Sequence, residues 1–353
     1  MKSKSTYKSQ GTSITQNSHI LPSPKEMQEK EDIIRVHDLV ISFGQHVVLN
    51  NLNLNIKEGE IFGIIGMSGS GKTTLLTTII GALQPGSGNV FFRSKQVLGE
   101  EKFESVFTNL FSIRSMFGFA AQTPSFYPEL TVRQNLEYFS ALYDLPADLV
   151  YENTKRALML VGLSQYENLS AKFLSGGMQK KLDIACAIIH NPSVLILDEP
   201  TADLDPITRG ELLGLFKKIN KEGTTVIVAS HFLMELEYLC DRIGILHDGQ
   251  IIDVGTIEEL KKNFSKDKEI HLQTTQGKYN LIIEKLKKIK LLEINQIVDR
   301  GHKLIIYTPE AEAVLHHLLL AVKESEDSIV NVDVARPSLD EVFKKLIKKT
   351  MKY

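Results

Sequence analysis

The stretch "GMSGSGKTT", Gly66 to Thr74, concentrates more potential chemistry than any other in this chain. Its first eight residues satisfy G-x-x-x-x-G-K-[ST]. Gly66, Gly69 and Gly71 remove Cβ atoms that would keep the backbone from wrapping around a polyphosphate, with Met67, Ser68 and Ser70 between them. The amides of this loop, and the N-terminus of a helix entered at Lys72, Thr73 and Thr74, supply partial positive charge. The Lys72 ammonium would reach the β- and γ-phosphates and the Thr73 hydroxyl would bind Mg²⁺. A second cluster ends the run "VLILDEP". There Asp198 is suited to hold the metal through water, and Glu199 to polarise the water that attacks the terminal phosphate. Both can face one crevice if the chain turns at Pro200. Gln122, after the run "FGFAAQ", could add an amide oxygen to metal or water, and His231, ending "VIVASH", could hydrogen-bond the terminal phosphate.

One element is left over. "LSGGMQKKLDIACAII", Leu174 to Ile189, opens with a serine and two glycines and continues as a helix with Met178, Leu182, Ala185 and Ile189 on one face. A helix tip of that composition gathers amides on a phosphate. A single polyphosphate already has its loop.

These residues need a scaffold that brings distant segments together. From Ile33 the runs "IIRVHDLVISFG" and "VVLNNLNLNI" alternate as in a small antiparallel sheet, and "EGEIFGIIG" reads as the buried strand before the phosphate loop. Further on, "VLILDEP" and "TTVIVASH" are β-branched apolar runs of the kind that form central parallel strands. Helical stretches, Val132–Leu142 and Gly210–Lys221 among them, lie between. The fold class expected is α/β, a parallel sheet with flanking helices, an antiparallel β subdomain and a helical subdomain. Past Leu260 the segment "KKNFSKDK" reads as a linker. Beyond it the pattern is strand (Glu269–Thr274), helix (Tyr279–Ile289), strands near Leu292–Asp299 and Lys303–Tyr307, helix (Glu310–Glu324) and strand (Ile329–Ala335). That βαββαβ order predicts a smaller, ferredoxin-like α+β domain. A last helix follows in "PSLDEVFKKL", with Ser338 and Glu341 spaced as a capping box. The expected domains are a disordered polar tail over 1–31, a nucleotide-binding domain over 32–262 and an accessory domain over 263–353.

Composition narrows the classes. A chain of 353 residues that is 42% hydrophobic and 24% charged suits a globular protein of two or so domains. Its net charge of −2 argues against a broad nucleic-acid surface. No run approaches the ~18 apolar residues of a membrane helix. The first 31 residues, rich in Ser and Lys, lack the apolar core of a secretory signal. The two cysteines, Cys186 and Cys240, read as small buried apolar residues.

Taken in order, Phe43, the phosphate loop, Gln122, "LSGGMQ", "LILDEP", "TADLD" and His231 resemble the nucleotide-binding subunit of an ABC transporter, over about Ile33 to Leu260. The resemblance implies a P-loop NTPase core that binds ATP with Mg²⁺ and hydrolyses it. It also answers why there are two anion-binding tips. In this family two nucleotide-binding domains pair head to tail. Ser175, Gly176, Gly177 and Gln179 of one would then lie over the γ-phosphate held by the other. By the same resemblance Phe43 would stack on adenine and Asp205 would sit at the dimer seam. Lys180 and Lys181 keep the positive charge that follows the glycines, with little consequence expected. The implied partners are a second nucleotide-binding subunit, identical or paralogous, and a separate transmembrane permease, with no nucleic acid. The implied location is the cytoplasmic face of the membrane, peripherally bound. "TPSFYPELTV" is where the family receives the membrane subunit, so Phe126 and Tyr127 are either aromatic anchors or residues packed within the helical subdomain. The ending "ARPSLDEVFKKL" resembles ATPases of ABC-2 type exporters. The competing reading is a soluble ABC-type ATPase acting on nucleic acid or the ribosome.

Overall fold

In the computed structural model, residues 31–95, 101–108, 113, 115–264, 267–289, 291–335 and 343 are described, and among them the chain forms three sheets. The first is antiparallel. It pairs β1 (Asp32–Phe43) with β2 (His46–Lys57), then adds β4 (Ser87–Lys95) and β5 (Glu101–Ser105) in the order β2-β1-β4-β5. Ile34 and Val36 face inward, then Leu39 and Ile41 do. The change of parity falls at a register shift beside Asp38, whose φ is +47°. Sequence analysis placed no strand at β4 or β5. "SGNVFFRSK" and "EKFES" alternate too briefly to stand out.

The second sheet is the scaffold of the site. Its order is β10-β9-β3-β8-β7-β6, from β3 (Ile61–Ile65), β6 (Phe117–Ala120), β7 (Val194–Asp198), β8 (Thr225–Ser230), β9 (Arg242–His247) and β10 (Gln250–Gly255). All neighbours are parallel except β10, which runs antiparallel to β9. Every residue of β3, β7 and β8 is buried. That is why their sequences run continuously apolar: both faces are covered. Alternate residues feed two cores. Phe62, Ile64, Ile196 and Ile227 pack with the first sheet, and Ile65, Leu195, Leu197 and Val228 pack with the helices on the other face.

Helix α1 (Lys72–Ile79) joins the first sheet's core through Leu75, Leu76 and Ile79, and the helices of the other face are α2 (Val132–Leu142), α3 (Ala147–Val161), α4 (Gly176–Ile188), α5 (Pro206–Lys221), α6 (Leu233–Leu239) and α7 (Ile257–Phe264). Helix α5 starts four residues ahead of the expected Gly210. Asp205 is its N-cap, accepting the Ile207 and Thr208 amides at 3.0 Å each, and Pro206 supplies the preset first position.

The third sheet follows from β11 (Lys268–Thr274), α8 (Tyr279–Lys287), β12 (Gln296–Asp299), β13 (Leu304–Thr308), α9 (Ala311–Glu324) and β14 (Ile329–Ala335). Its order, β12-β13-β11-β14, is antiparallel throughout, the ferredoxin-like arrangement expected, and it has its own core around Tyr279, Ile306 and Leu318. Of the last expected helix, only Phe343 is among the described residues, where it packs on the larger core. Ser338, Glu341 and the tail over residues 1–30 lie outside them.

Candidate functional site

Four adjacent parallel strands, β3, β8, β7 and β6, end side by side, and every candidate of the phosphate site hangs from one of those ends. In open α/β sheets this edge is where ligands bind. Ile65 pairs with Ser230, Asp198 with Ala229, and Leu197 with Ala120. The phosphate loop, His231, Asp198 with Glu199, and Gln122 follow directly. They converge on a cavity of about 470 Å³ lined by Ser68, Gly69, Gly71, Lys72, Thr73, Thr74, Gln122, Asp198, Glu199 and His231, with Val48 from β2.

Helix α1 opens into this cavity without a side-chain cap. Its N-cap is Gly71 at φ +101°, and a Cβ there would also sit 2.8 Å from Leu49. The first-turn amides are therefore left for a ligand. The Lys72 side chain is buried and curls back. Its Nζ donates to the carbonyls of Gly66 (2.9 Å) and Met67 (3.3 Å) and lies 3.4 Å from Glu199 Oε1. Thr73 Oγ1 donates to Asp198 Oδ2 at 2.6 Å. Burial raises the Asp198 carboxyl above its ordinary range. The Thr73 hydrogen bond opposes this, and the Glu199 charge adds to it.

Neighbouring residues on a strand face opposite ways, yet Asp198 and Glu199 line one cavity. The turn is made at Glu199 itself, at φ +48°, not at Pro200. A left-handed non-glycine residue costs about 1–3 kcal/mol and is held by its surroundings. Here the Glu199 amide donates to Ala229 O at 2.9 Å, while Oε2 meets His231 Nδ1 at 2.8 Å.

Two buried oxygens, Asp198 Oδ1 and Ser70 Oγ, have no hydrogen-bond partner among the described residues. A carboxylate oxygen and a hydroxyl in that condition beside Thr73 and Gln122 make an oxygen donor set suited to Mg²⁺.

The "ABC transporter" family model matches residues 49–202. The bacitracin transport ATP-binding protein BcrA of Bacillus licheniformis is 32% identical over 317 residues, covering 89% of this chain and 97% of the relative. The chain belongs to the ABC transporter ATP-binding proteins. The linearmycin resistance ATP-binding protein LnrL of Bacillus subtilis is 28% identical over 91% of this chain and all of its own length. Among solved structures, an ATP-binding subunit of an ABC transporter superposes with a TM-score of 0.57 at 27% identity, covering 66% of this chain and 93% of that one. A dimeric ATP-binding cassette in a post-hydrolysis state, bound to ADP and phosphate, gives 0.56 at 28%, covering 64% and 98%. This protein is thus an ATP-binding subunit of an ABC transporter, with the ATPase fold.

The remaining candidates of this ABC ATPase stand elsewhere. Ser175 is the N-cap of α4, accepting the Met178 amide at 3.4 Å, and Ser175 and Gly176 are exposed. Gly177 rests against α5, where a Cβ would lie 2.4 Å from Thr208 Cγ2. Gln179 turns inward and donates to Leu174 O at 3.3 Å. None of these lines the phosphate cavity. Phe43, 55% exposed at the β1–β2 turn, is also outside its lining. Of the two aromatic anchor candidates, Tyr127 is exposed and packs edge-on against Tyr138, but Phe126 is buried in the core among Val132 and Leu136.

Lys180, expected from sequence only to keep positive charge with little consequence, has a structural part. It is buried, and its Nζ donates to the carbonyls of Gln122 (2.9 Å) and Ala121 (3.2 Å). One turn on, Asp183 Oδ1 accepts the amide and hydroxyl of Ser125, each at 2.8 Å. Two side chains of α4 thus hold the segment that carries Gln122. Burial lowers the Lys180 ammonium from its usual range, opposed by Asp183 and Asp198. The signal was available: Lys and Asp three apart on a helix whose following residues, "IACAII", are apolar on every side.

Proposed function

We propose that this chain drives a separate membrane-spanning exporter by ATP-dependent head-to-tail pairing of two copies, or of this chain and a paralogue, at the cytoplasmic face of the membrane. The observation that carries this reading is the division of labour within one molecule. The phosphate loop has its carboxylates, amide and imidazole beside it, whereas the Ser175–Gly177 tip, exposed at Ser175 and Gly176, has no part in that cavity. A bound triphosphate shared between one copy's Lys72 loop and the other's serine-diglycine tip completes both. Among the described residues no helix is long and apolar enough to cross a membrane, in keeping with a separate permease.

In this reading the uncapped amides of α1 hold the β- and γ-phosphates, and the Lys72 ammonium exchanges its own loop's carbonyls for phosphate oxygens. Thr73, Asp198 and Gln122 are the residues that would hold Mg²⁺, which when bound offsets phosphate charge. Glu199 accepts a proton from the attacking water. Its bond to His231 keeps the carboxylate aimed into the cavity, and His231 presents its other ring nitrogen to the γ-phosphate. Phe43 stacks on the adenine, and Asp205, already the cap of α5, stands at the seam between copies. The working unit spans residues 32–262, with 263–353 as an accessory domain.

Export is favoured by the extent of the relatives. The solved cassettes cover about two thirds of this chain, whereas the bacitracin and linearmycin proteins align over 317 and 320 residues. Such alignments cannot fit within residues 1–266, so they run into the third sheet. A daunorubicin resistance ATP-binding protein of Streptomyces coeruleorubidus aligns over 85% of the chain as well. The docking surface for the permease is an apolar cavity of about 580 Å³ beside β6, lined by Ile80, Phe119, Phe139, Leu142 and Tyr143. This replaces Phe126 as the anchor.

The test is a trap. Glu199→Gln protein with Mg-ATP, carrying cysteines at Ser175 and Ser68, should run as a dimer and cross-link between copies. A monomer without cross-links refutes the pairing. Purification from membranes should bring a spanning protein with the chain, and its absence refutes the permease.

A further inference from the structure

Arg209 lies in the first turn of α5, outside the phosphate cavity, yet its guanidinium gathers three segments that lead to the reacting residues. Its Nε stands 3.0 Å from Glu235 Oε1 on α6. One terminal nitrogen donates to Leu204 O at 3.1 Å, in the segment that follows Glu199. Its Cζ lies 4.8 Å from the centre of the Phe232 ring, and that ring lies 4.0 Å from the His231 imidazole. The second Glu235 oxygen accepts the Thr201 hydroxyl. Glu235 and Thr201 are both buried, at 8% and 1% exposure.

We propose that Arg209 is a positioning residue for His231, acting through the Phe232 ring and the Glu235 carboxylate. The proposal rests on the reading of His231 given above. The His231 side chain is 51% exposed, and its ring is held by one hydrogen bond at its Nδ1 edge. A half-exposed imidazole with a single bond is free to swing about χ1 and χ2. The Phe232 ring behind it removes that freedom, and Arg209 fixes Phe232 by a cation–π contact. Glu235 ties the same guanidinium to the segment after Glu199, so the two partners of the Glu199–His231 bond are braced from behind by one cation. A planar guanidinium can face a ring and a carboxylate together, and a lysine ammonium cannot. Helix α5 is also the surface on which Gly177 rests, through Thr208. The brace for His231 is therefore continuous with the serine-diglycine tip.

The test compares full-length protein with Arg209→Lys, Phe232→Leu and Phe232→Tyr. Arg209→Lys keeps the charge beside Glu235, which limits damage to folding, and Phe232 is only half-buried. Arg209→Lys and Phe232→Leu should each lower kcat roughly tenfold, since small misplacements of a reacting group cost up to about 10²-fold. KM for ATP should stay within about twofold, because ground-state binding is untouched. Phe232→Tyr, which restores a ring, should recover kcat. Wild-type kcat in both variants, KM rising in step with the loss, or no recovery in Phe232→Tyr overturns the proposal. If Arg209→Lys does not fold, the Phe232 pair decides. A wild-type chain that fails to hydrolyse ATP would sink the hydrolytic reading instead. The imidazole proton signals then decide the positioning role. Assigned by their loss in His231→Ala, they should move in Arg209→Lys and in Glu235→Gln, and unmoved signals in both overturn it.

Discussion

Two helices of this protein begin on glycine-rich turns, and they begin differently. Helix α1 starts at a left-handed Gly71 with no side-chain cap, buried beside Thr73, Asp198 and Glu199. Helix α4 starts at an extended Ser175 that caps it weakly, with Ser175 and Gly176 in solvent. Both tips carry amide dipoles. Only the first has acids to handle a metal and a water. In the function proposed above, the first acts on a phosphate and the second holds it. Glu199→Gln breaks this contrast most severely. It keeps the shape and removes the base, so ATP turnover should fall about 10²–10⁴-fold with ATP affinity nearly unchanged. Phosphate release and nucleotide titration on the same sample read this out. Unchanged turnover would mean that the first site also only holds.

The complementary break is at the second tip. Gly177→Ala drives a methyl against Thr208 Cγ2, where only 2.4 Å is available. Overpacking of that kind costs about 1–3 kcal/mol. It falls on the α4–α5 contact and not on the phosphate loop. The expected outcome is a roughly tenfold or greater loss in ATP-dependent dimerisation of the Glu199→Gln protein. Nucleotide binding by the monomer should be preserved. Sedimentation with and without Mg-ATP distinguishes the two. A loss of nucleotide affinity equal to the loss of pairing would mean that the tips are not separate sites.

How legible each site was follows from where its information resides. The phosphate site was readable because its determinants are local: a loop motif between an apolar strand and an amphipathic helix, and carboxylates at the end of "VLIL". The two runs expected as central parallel strands, "VLILDEP" and "TTVIVASH", do pair as β7 and β8. The left-handed turn at Glu199 was missed, because backbone strain at a non-glycine residue leaves no trace in residue type. The start of α5 was misplaced although Asp205-Pro206 is a strong cap and first-position pair, since Asp205 had been weighed only as a seam residue. Phe126 stayed open between anchor and core because an aromatic between prolines looks the same whether it faces a core or a partner, and it is buried in the core. Arg209 and Glu235 make their contacts between segments far apart in the chain, and single-sequence patterns do not show such pairings.

Lys180 sharpens the comparison from within, because the helix that begins at the Ser175 tip also fastens the Gln122 segment of the first cavity. Lys180→Met keeps the length of the stem and removes the donor. It leaves the Ala121 and Gln122 carbonyls without the ammonium and Asp183 without a neighbouring cation. Stranded buried polar groups cost about 1–3 kcal/mol. For a chain of this size that lowers Tm by roughly 2–4 °C per kcal/mol. ATPase should weaken as well if the Gln122 segment is displaced, and Lys180→Arg should recover part of both. A melting curve identical to that of the parent would show that the segment is held by other contacts.

The smallest effect lies outside both tips, in the third sheet, and it tests whether the region proposed as an accessory domain is independent of the contrast. Asp327 is buried among donors. Its carboxylate accepts the amides of Gln276, Lys278 and Ser328 and the Thr275 hydroxyl. Burial alone would raise its pKa, but these hydrogen bonds outweigh it and hold the carboxyl well below the usual range. The folded protein therefore binds fewer protons here than the unfolded chain at acidic pH. The contribution to stability is complete above the unfolded value of about 3.9 and is lost as pH falls toward the depressed one. Asp327→Asn removes the titration. Its melting temperature should lie below that of the parent at neutral pH, and the gap should narrow as pH drops below about 4. ATP turnover at neutral pH should not move, because the partners of Asp327 (Thr275, Gln276, Lys278 and Ser328) all lie between β11 and β14. A change in turnover equal to that in melting would place the accessory domain inside the working cycle instead of beside it.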